Sequence, residues 1–330
     1  MQVTNDVGID VSAQTLAVCI QRGPRRHPVA TFDNDAAGHR KLMRWSTQRG
    51  RRARVCLEAT GVYSLDLALA LHGHPHIQVM VLNPRASRSF AQAMMKRAKT
   101  DPVDAEVLLE YVQRMPFTPW KPPADQVLQL QALMRRVHQL KTDLSREENR
   151  LHADRHRQVL GRIITQDLEV HIRQLHRRIQ RLQAQARQLV AEVPELEAKF
   201  QRLISIPGIA QVSALRILPE VLVLPEGLQA NQWVAQAGLD PRPRESGTSV
   251  DRPRFISKTG NKYLRAALYF PAMVACRFQE NVEAFYQKLM AAGKKPRQGH
   301  VAVMRKLLRC IWAMLKYDRD FEGDKFYVLA

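Results

Sequence analysis

Along the first 120 positions apolar residues come in short runs broken by turn residues, whereas beyond Pro123 they recur every three or four positions. The first texture predicts strands, the second helices. Val7–Ser12 and Thr15–Gln21 read as two strands joined by a tight turn at Ala13 and Gln14, and Pro28–Phe32 as a third. Together they predict an antiparallel meander. Asn34 or Asp35 offers an N-cap for a helix over Ala36–Thr47, with Leu42 and Trp45 at helical spacing. Val55–Glu58 is a fourth strand, Leu65–Leu71 a helix, and Ile77–Leu82 a fifth strand ending at Asn83-Pro84. Helices at about Ser87–Arg97 and Pro102–Met115 follow. Antiparallel strands followed by alternating helix and strand are the order of an RNase H-like α/β fold.

The proline-rich stretch Pro116–Pro123 reads as a linker. Beyond it Leu133, Val137, Leu140, Leu144 and Leu151 form a heptad-like seam. After a break near Gly161 it resumes as Leu168, Ile172, Leu175, Ile179, Leu182, Ala186 and Leu189. That pattern predicts an antiparallel helical hairpin or coiled coil, with a plain helical bundle as the alternative. Pro194 stops it. Glu195–Ile206, the turn Pro207-Gly208-Ile209-Ala210 and Gln211–Leu218 read as a helix-hairpin-helix, whose turn at Gly208 could hold a phosphate. A polar stretch, Asp240–Lys262, precedes helices from Tyr263 to about Lys316. The expected division is 1–120, 121–194 and 195–330.

Charge changes the picture. The 330 residues carry 51 Lys and Arg against 31 Asp and Glu, a net of +20. The excess is +6, +5 and +9 over residues 1–120, 121–200 and 201–330. A polyanion that touches every part of the chain would select such a spread. No run approaches the ~18 apolar residues of a membrane helix, and the N-terminal MQVTNDVGID does not read as a secretory signal. The four cysteines are far apart, with no C-x-x-C pair, and fit a reducing cytoplasm. Neither a Walker loop nor a G-x-G-x-x-G turn occurs, so no nucleotide cofactor is expected.

Four acids stand out. Asp10 lies inside the first strand among apolar neighbours, and Glu58 ends the fourth. Asp101 and Asp104, in KTDPVDA, are three apart at a helix start and share a face. If the first and fourth strands adjoin, all four carboxylates converge, which suits Mg²⁺ or Mn²⁺. Structural readings compete: Asp101 as an N-cap ahead of Pro102, Asp104 as a helix-dipole partner, Glu58 as a solvated rim residue. Asp10 resists such an explanation, because strand interiors are poor in Asp. A second candidate is ESGTSV, residues 245–250, with Arg242, Arg244, Arg252 and Arg254 around it. A hydroxyl among guanidiniums could attack a phosphodiester, or S-G-T-S could be a simple turn.

The motifs GIDVS, LEATGVY, KTDPVDA, SIPGI, AGLDPR, ESGTSV, SKTGNKYLRAALY and PAMVA occur in this order. Together they resemble the serine-using DEDD transposases of bacterial insertion sequences, the RNA-guided bridge recombinases. The resemblance runs from Asp10 to the helices around Arg305. It implies a RuvC-like N-terminal domain, a coiled coil, and a C-terminal transposase domain. It places the acidic, Mg²⁺-binding tetrad on Asp10, Glu58, Asp101 and Asp104, and the nucleophile on Ser246, with Ser249 and then Thr248 as weaker choices. It also implies a structured bridge RNA pairing with donor and target DNA in a bacterial cytoplasm. A homo-oligomer, a dimer or dimer of dimers, would share acids and serine between subunits.

The chemistry so implied is attack of Ser246 Oγ on a DNA phosphorus, giving a phosphoserine linkage and a free 3′-OH. Arg242, Arg244, Arg252, Arg254, Lys258, Lys262, Arg265 and the Gly208 turn are expected to hold nucleic acid. Two rivals stand beside this reading: a metal-dependent RuvC-like nuclease or junction resolvase, and a non-catalytic nucleic-acid-binding protein.

Overall fold

The computed structural model describes residues 4–59, 61–95, 100–155, 162–242, 245–246, 250–251 and 255–329; for 49, 62, 245, 246, 250 and 251 it describes the backbone alone. The chain divides into two compact units, Met1–Pro122 and Pro123–Ala330. The first unit is mixed α/β. Its sheet comprises β1 (Thr4–Val11), β2 (Thr15–Arg22), β3 (Arg25–Arg26), β4 (Ala30–Asp33), β5 (Arg52–Glu58) and β6 (Ile77–Leu82). Its helices are α1 (Ala36–Ser46), α2 (Val62–His72), α3 (Pro84–Ala93) and α4 (Asp101–Arg114). The expected helix end at Arg97 lies outside the described residues.

The strand order is β3-β2-β1-β5-β6, with β4 also paired to β2. β1 runs antiparallel to β2 and parallel to β5, which runs parallel to β6. The meander is therefore present, with its third strand shifted to Ala30–Asp33 and the short β3 added before it.

Alternation along the strands sorts side chains onto two faces. Val7, Ile9 and Val11 of β1, with Val55 and Leu57 of β5, pack against Leu42 of α1 and Leu67, Ala68 and Leu71 of α2. On the opposite face Cys56, Met80 and Leu82 pack against Leu108 and Val112 of α4, and Cys19 packs against Ala105 and Leu109. Gly8 faces α4 too, and the helix lies almost on its backbone: a β-carbon there would stand 2.2 Å from the Ala105 carbonyl oxygen and 2.2 Å from the Leu109 nitrogen.

The second unit is mostly helical. Two long helices, α5 (Asp125–Arg155) and α6 (Arg162–Ala191), form the expected hairpin; the break near Gly161 lies outside the described residues. Val137, Leu140, Leu144, Leu175, Ile179 and Ala186 of the seam are buried, while Leu133, Leu151, Leu168, Ile172, Leu182 and Leu189 are half-buried. Then follow α7 (Pro194–Ile204), α8 (Gln211–Leu222), α9 (Ala230–Gln236), α10 (Lys262–Phe278), α11 (Glu280–Ala291), α12 (Pro296–Tyr317) and α13 (Gly323–Phe326). The hydrophobic core is continuous from Val127 on α5 to Phe326.

Residues 240–262, expected to be a polar stretch, contain two short antiparallel ribbons. β7 (Pro241–Arg242) pairs with β10 (Phe255–Ile256), and β8 (Glu245–Ser246) with β9 (Val250–Asp251). Two-residue strands are too short for an alternating pattern to be visible in sequence.

Candidate active site

Parity along the strands decides where the acids point. Asp10 follows Gly8 by two residues and Glu58 follows Cys56 by two, so both belong to the face covered by α4. β1 and β5 are in register at Ile9 and Leu57, which sets Asp10 and Glu58 side by side at the carboxyl ends of two parallel strands. On α4 the residues that pack on the sheet include Ala105 and Leu108. Asp101 and Asp104 lie one turn earlier on that same helix face. The tight seat of α4 on Gly8 therefore carries both carboxylates toward Asp10.

Electrostatics registers the convergence. The half-buried Asp10 carboxyl is pushed up to about 6 from 3.8, first by burial and then by the carboxylates of Asp104, Asp101 and Glu58; a backbone hydrogen bond at Val11 works weakly the other way. Asp104 and Glu58 are half-buried, and Asp101 is exposed. Among the described residues, however, no three His, Cys, Asp or Glu side chains are gathered closely enough to chelate an ion as they stand. The acids interact through space without sharing a centre. Hard carboxylate oxygens at the ends of rigid elements are nonetheless the donors that Mg²⁺ or Mn²⁺ takes.

The capping alternative for Asp101 is corrected by the backbone. Thr100, with φ −143° and ψ 150°, is the N-cap, and Asp101 is the first helical residue. The Asp104 N–H already bonds to the Thr100 carbonyl at 2.9 Å. Asp101 is thus not spent on capping.

Sequence reading missed Ser87. Its buried hydroxyl donates to Glu58 Oε2 at 2.5 Å and lies 3.0 Å from the Pro84 carbonyl. Asn83 caps α3 by accepting from the Arg85 N–H at 2.9 Å, which sets the first turn that presents Ser87. The sequence signal was the Asn-Pro helix start with a serine in its first turn.

Ser246 ends β8, where its backbone pairs with Val250. Arg244, Thr248, Ser249, Arg252 and Arg254 lie outside the described residues. Arg242 and Lys258 are exposed, and Lys262 lies 5.2 Å over the Tyr263 ring. Arg265 is engaged within the protein, donating to the Ala237 carbonyl at 2.7 Å. Gly208 has φ +100°, and its α-carbon is pressed onto α10: a β-carbon would meet the Pro271 oxygen and the Ala275 nitrogen at 2.8 Å. That packing by itself requires glycine.

Residues 7–154 match a family model for DEDD transposases of the IS110 type, described as "Transposase". Residues 200–287 match one described as "Transposase IS116/IS110/IS902 family". The chain is 30% identical to the pilin gene-inverting proteins of Moraxella bovis and Moraxella lacunata, over 96% of its own length and 97% of theirs. A probable family 20 transposase of Pseudomonas aeruginosa is 29% identical over 46% of this chain and 44% of its own. With its α/β and helical parts both matched and a relationship that runs almost end to end, the protein belongs to the IS110 family of transposases, enzymes of DNA recombination.

Proposed function

We propose that the chain joins donor and target DNA through a phosphoserine intermediate, guided by a structured RNA, with Ser246 as nucleophile and Asp10, Glu58, Asp101 and Asp104 as the acids that hold Mg²⁺ or Mn²⁺. The acidic half is supported by the pairing of β1 with β5 and the seat of α4 on Gly8, and by the raised Asp10 carboxyl, to which the carboxylates of Asp104, Asp101 and Glu58 contribute. Strand order and directions support an RNase H/RuvC-like reading of the first unit. The naming of the Moraxella relatives for pilin gene inversion supports strand exchange between two sites of a DNA.

In the first step Ser246 Oγ attacks the DNA phosphorus, its proton leaves to a base, and the 3′ oxygen departs as a hydroxyl. The ester made equals the ester broken, so rejoining by a 3′-OH needs no nucleotide, in keeping with the absence of a Walker loop. A bound divalent ion would supply charge neutralisation at the phosphate. Within the first unit, Ser87 fixes one Glu58 oxygen. Burial and the neighbouring carboxylates raise the Asp10 carboxyl, a crowding of charge that a bound cation would relieve. Base pairing to RNA would choose the sequence, while Lys and Arg hold backbones.

The test is denaturing capture of a covalent protein–DNA adduct with RNA and Mg²⁺ present. Ser246→Ala abolishes the adduct and keeps binding; Asp10→Asn, Glu58→Gln, Asp101→Asn and Asp104→Asn abolish strand exchange in folded proteins. Metal-dependent cleavage without an adduct would establish the nuclease instead.

A further inference from the structure

Away from the acids, the second unit contains a cluster of cations around one cleft, two of which make no ion pair among the described residues. A cleft between α5, α8 and α10 is lined by Met134, Arg135, His138, Arg216, Glu220 and Tyr263. Its one carboxylate is already satisfied. Glu220, buried to 2% exposure, accepts from Arg135 Nε and Nη2 at 2.8 and 2.9 Å, from Asn261 Nδ2 at 2.6 Å and from Gln131 Nε2 at 3.2 Å.

Arg216, half-buried on α8, and Lys141, half-buried one turn beyond His138 on α5, have neither an ion pair nor a hydrogen bond from their side chains among the described residues. Burial lowers the proton affinity of Arg216. Burial and then Arg216 lower that of Lys141. Burial, then Arg216 and Lys262, lower that of His138, which Glu220 raises. Arg216 and His138 line the same cleft, and Lys141 follows His138 by one turn of α5. The His138 ring stands edge-on to Tyr263, with centroids 5.2 Å apart, and Lys262 lies over the same Tyr263. Lys262 opens α10, so the helix dipole adds positive potential there. The N–H groups of Tyr263 and Leu264 are taken by Asn261 Oδ1, so the helix contributes its field and not those donors.

Half-burying cations that repel one another costs free energy, and an anion would offset it. The cleft itself has room for about 10 Å³, a single water, so the anion must lie across the mouth. We infer that Arg216, Lys141, His138 and Lys262 form a clamp for one backbone phosphate of a nucleic acid, at the mouth of the cleft between α5, α8 and α10. Three helices distant in sequence supply it, which gives the phosphate a fixed position instead of a diffuse basic surface.

The clamp rests on the nucleic-acid reading of the chain but on neither the acids nor Ser246, so it is tested by binding in EDTA. Full-length protein is titrated with a labelled structured RNA and, separately, a labelled duplex DNA across a salt series. Arg216→Gln and Lys141→Gln each lower the slope of log K against log salt by about 1, equal to about tenfold weaker binding at 0.1 M salt. Arg216→Lys keeps the slope, because the charge is what counts. Loss with both probes assigns a phosphate common to both, and loss with one names the nucleic acid that is clamped. The melting temperature of Arg216→Gln holds or rises, since a repelled cation is removed; should that variant unfold, Lys141→Gln carries the test. Wild-type slopes in the Gln variants, or an equal loss in Arg216→Lys, overturn the clamp while leaving the functional reading intact. Absence of any binding to RNA or DNA overturns both.

Discussion

Gly8 lies so close beneath Ala105 that no side chain fits between β1 and α4, and this contact is what brings two acids of a helix to an acid of a strand. The site depends on a missing methyl group.

Gly8→Ala should therefore cost about 3 kcal/mol, the upper end of overpacking, because the β-carbon meets backbone atoms that cannot rotate away. Lifting α4 also moves Asp101 and Asp104, so strand exchange falls more than stability alone explains. Gly73→Ala, where a β-carbon would find nothing nearer than 3.6 Å at φ −67°, is the control and stays within about 0.5 kcal/mol of wild type. Urea unfolding and an exchange assay on both variants check this.

Ser87→Ala removes the hydroxyl that orients Glu58. Loss of such a partner to a metal ligand typically weakens metal affinity or activity by roughly 10–100-fold. The expected signature is a higher Mg²⁺ concentration for half-maximal exchange with a near-normal plateau, and Ser87→Thr restores part of it. An unchanged Mg²⁺ dependence would show that Ser87 serves the fold alone.

The Asp10 carboxyl titrates at about 6 in the fold against 3.8 as its unperturbed value. A raised acid binds its proton more tightly when folded, so metal-free stability falls as pH rises from about 4 to 6 and stays lowered above. In EDTA at pH 7.5, Asp10→Asn should melt above wild type, and the gap should narrow as pH drops below 6. Added Mg²⁺ should raise wild type more than the variant. Melting curves over pH 4–8, with and without Mg²⁺, decide it.

Glu220→Gln leaves Arg135 without a charged partner and disturbs a buried network that ties α5, α8 and α10 together. Because Arg135 is 39% exposed, water can take over part of its solvation, and we expect a loss of about 2 kcal/mol, below the 3–5 kcal/mol of a fully buried pair. The melting transition of the intact chain reports it.

Much of the architecture was legible in the residues. Runs such as TLAVCIQ and IQVMVL announce strands, Asp10 stood out because a carboxylate is costly inside a strand, and Asp101 and Asp104 because three-residue spacing puts them on one helix face. The heptad seam located the long helices. Those features are local, since strand and helix periods are properties of neighbouring residues. What pairs distant positions was not legible. That Ser87 serves Glu58, that Gln131, Arg135 and Asn261 all converge on Glu220, and that Arg216 and His138 line one cleft are set by packing across 29 to 89 positions. The ribbons around Ser246 were too short to show a period. Thr100 and not Asp101 is the cap, so Pro102 stands one position further into the helix than the sequence suggested. Periodicity records which side of an element is apolar, but only the summed packing of both sides chooses what lies against it.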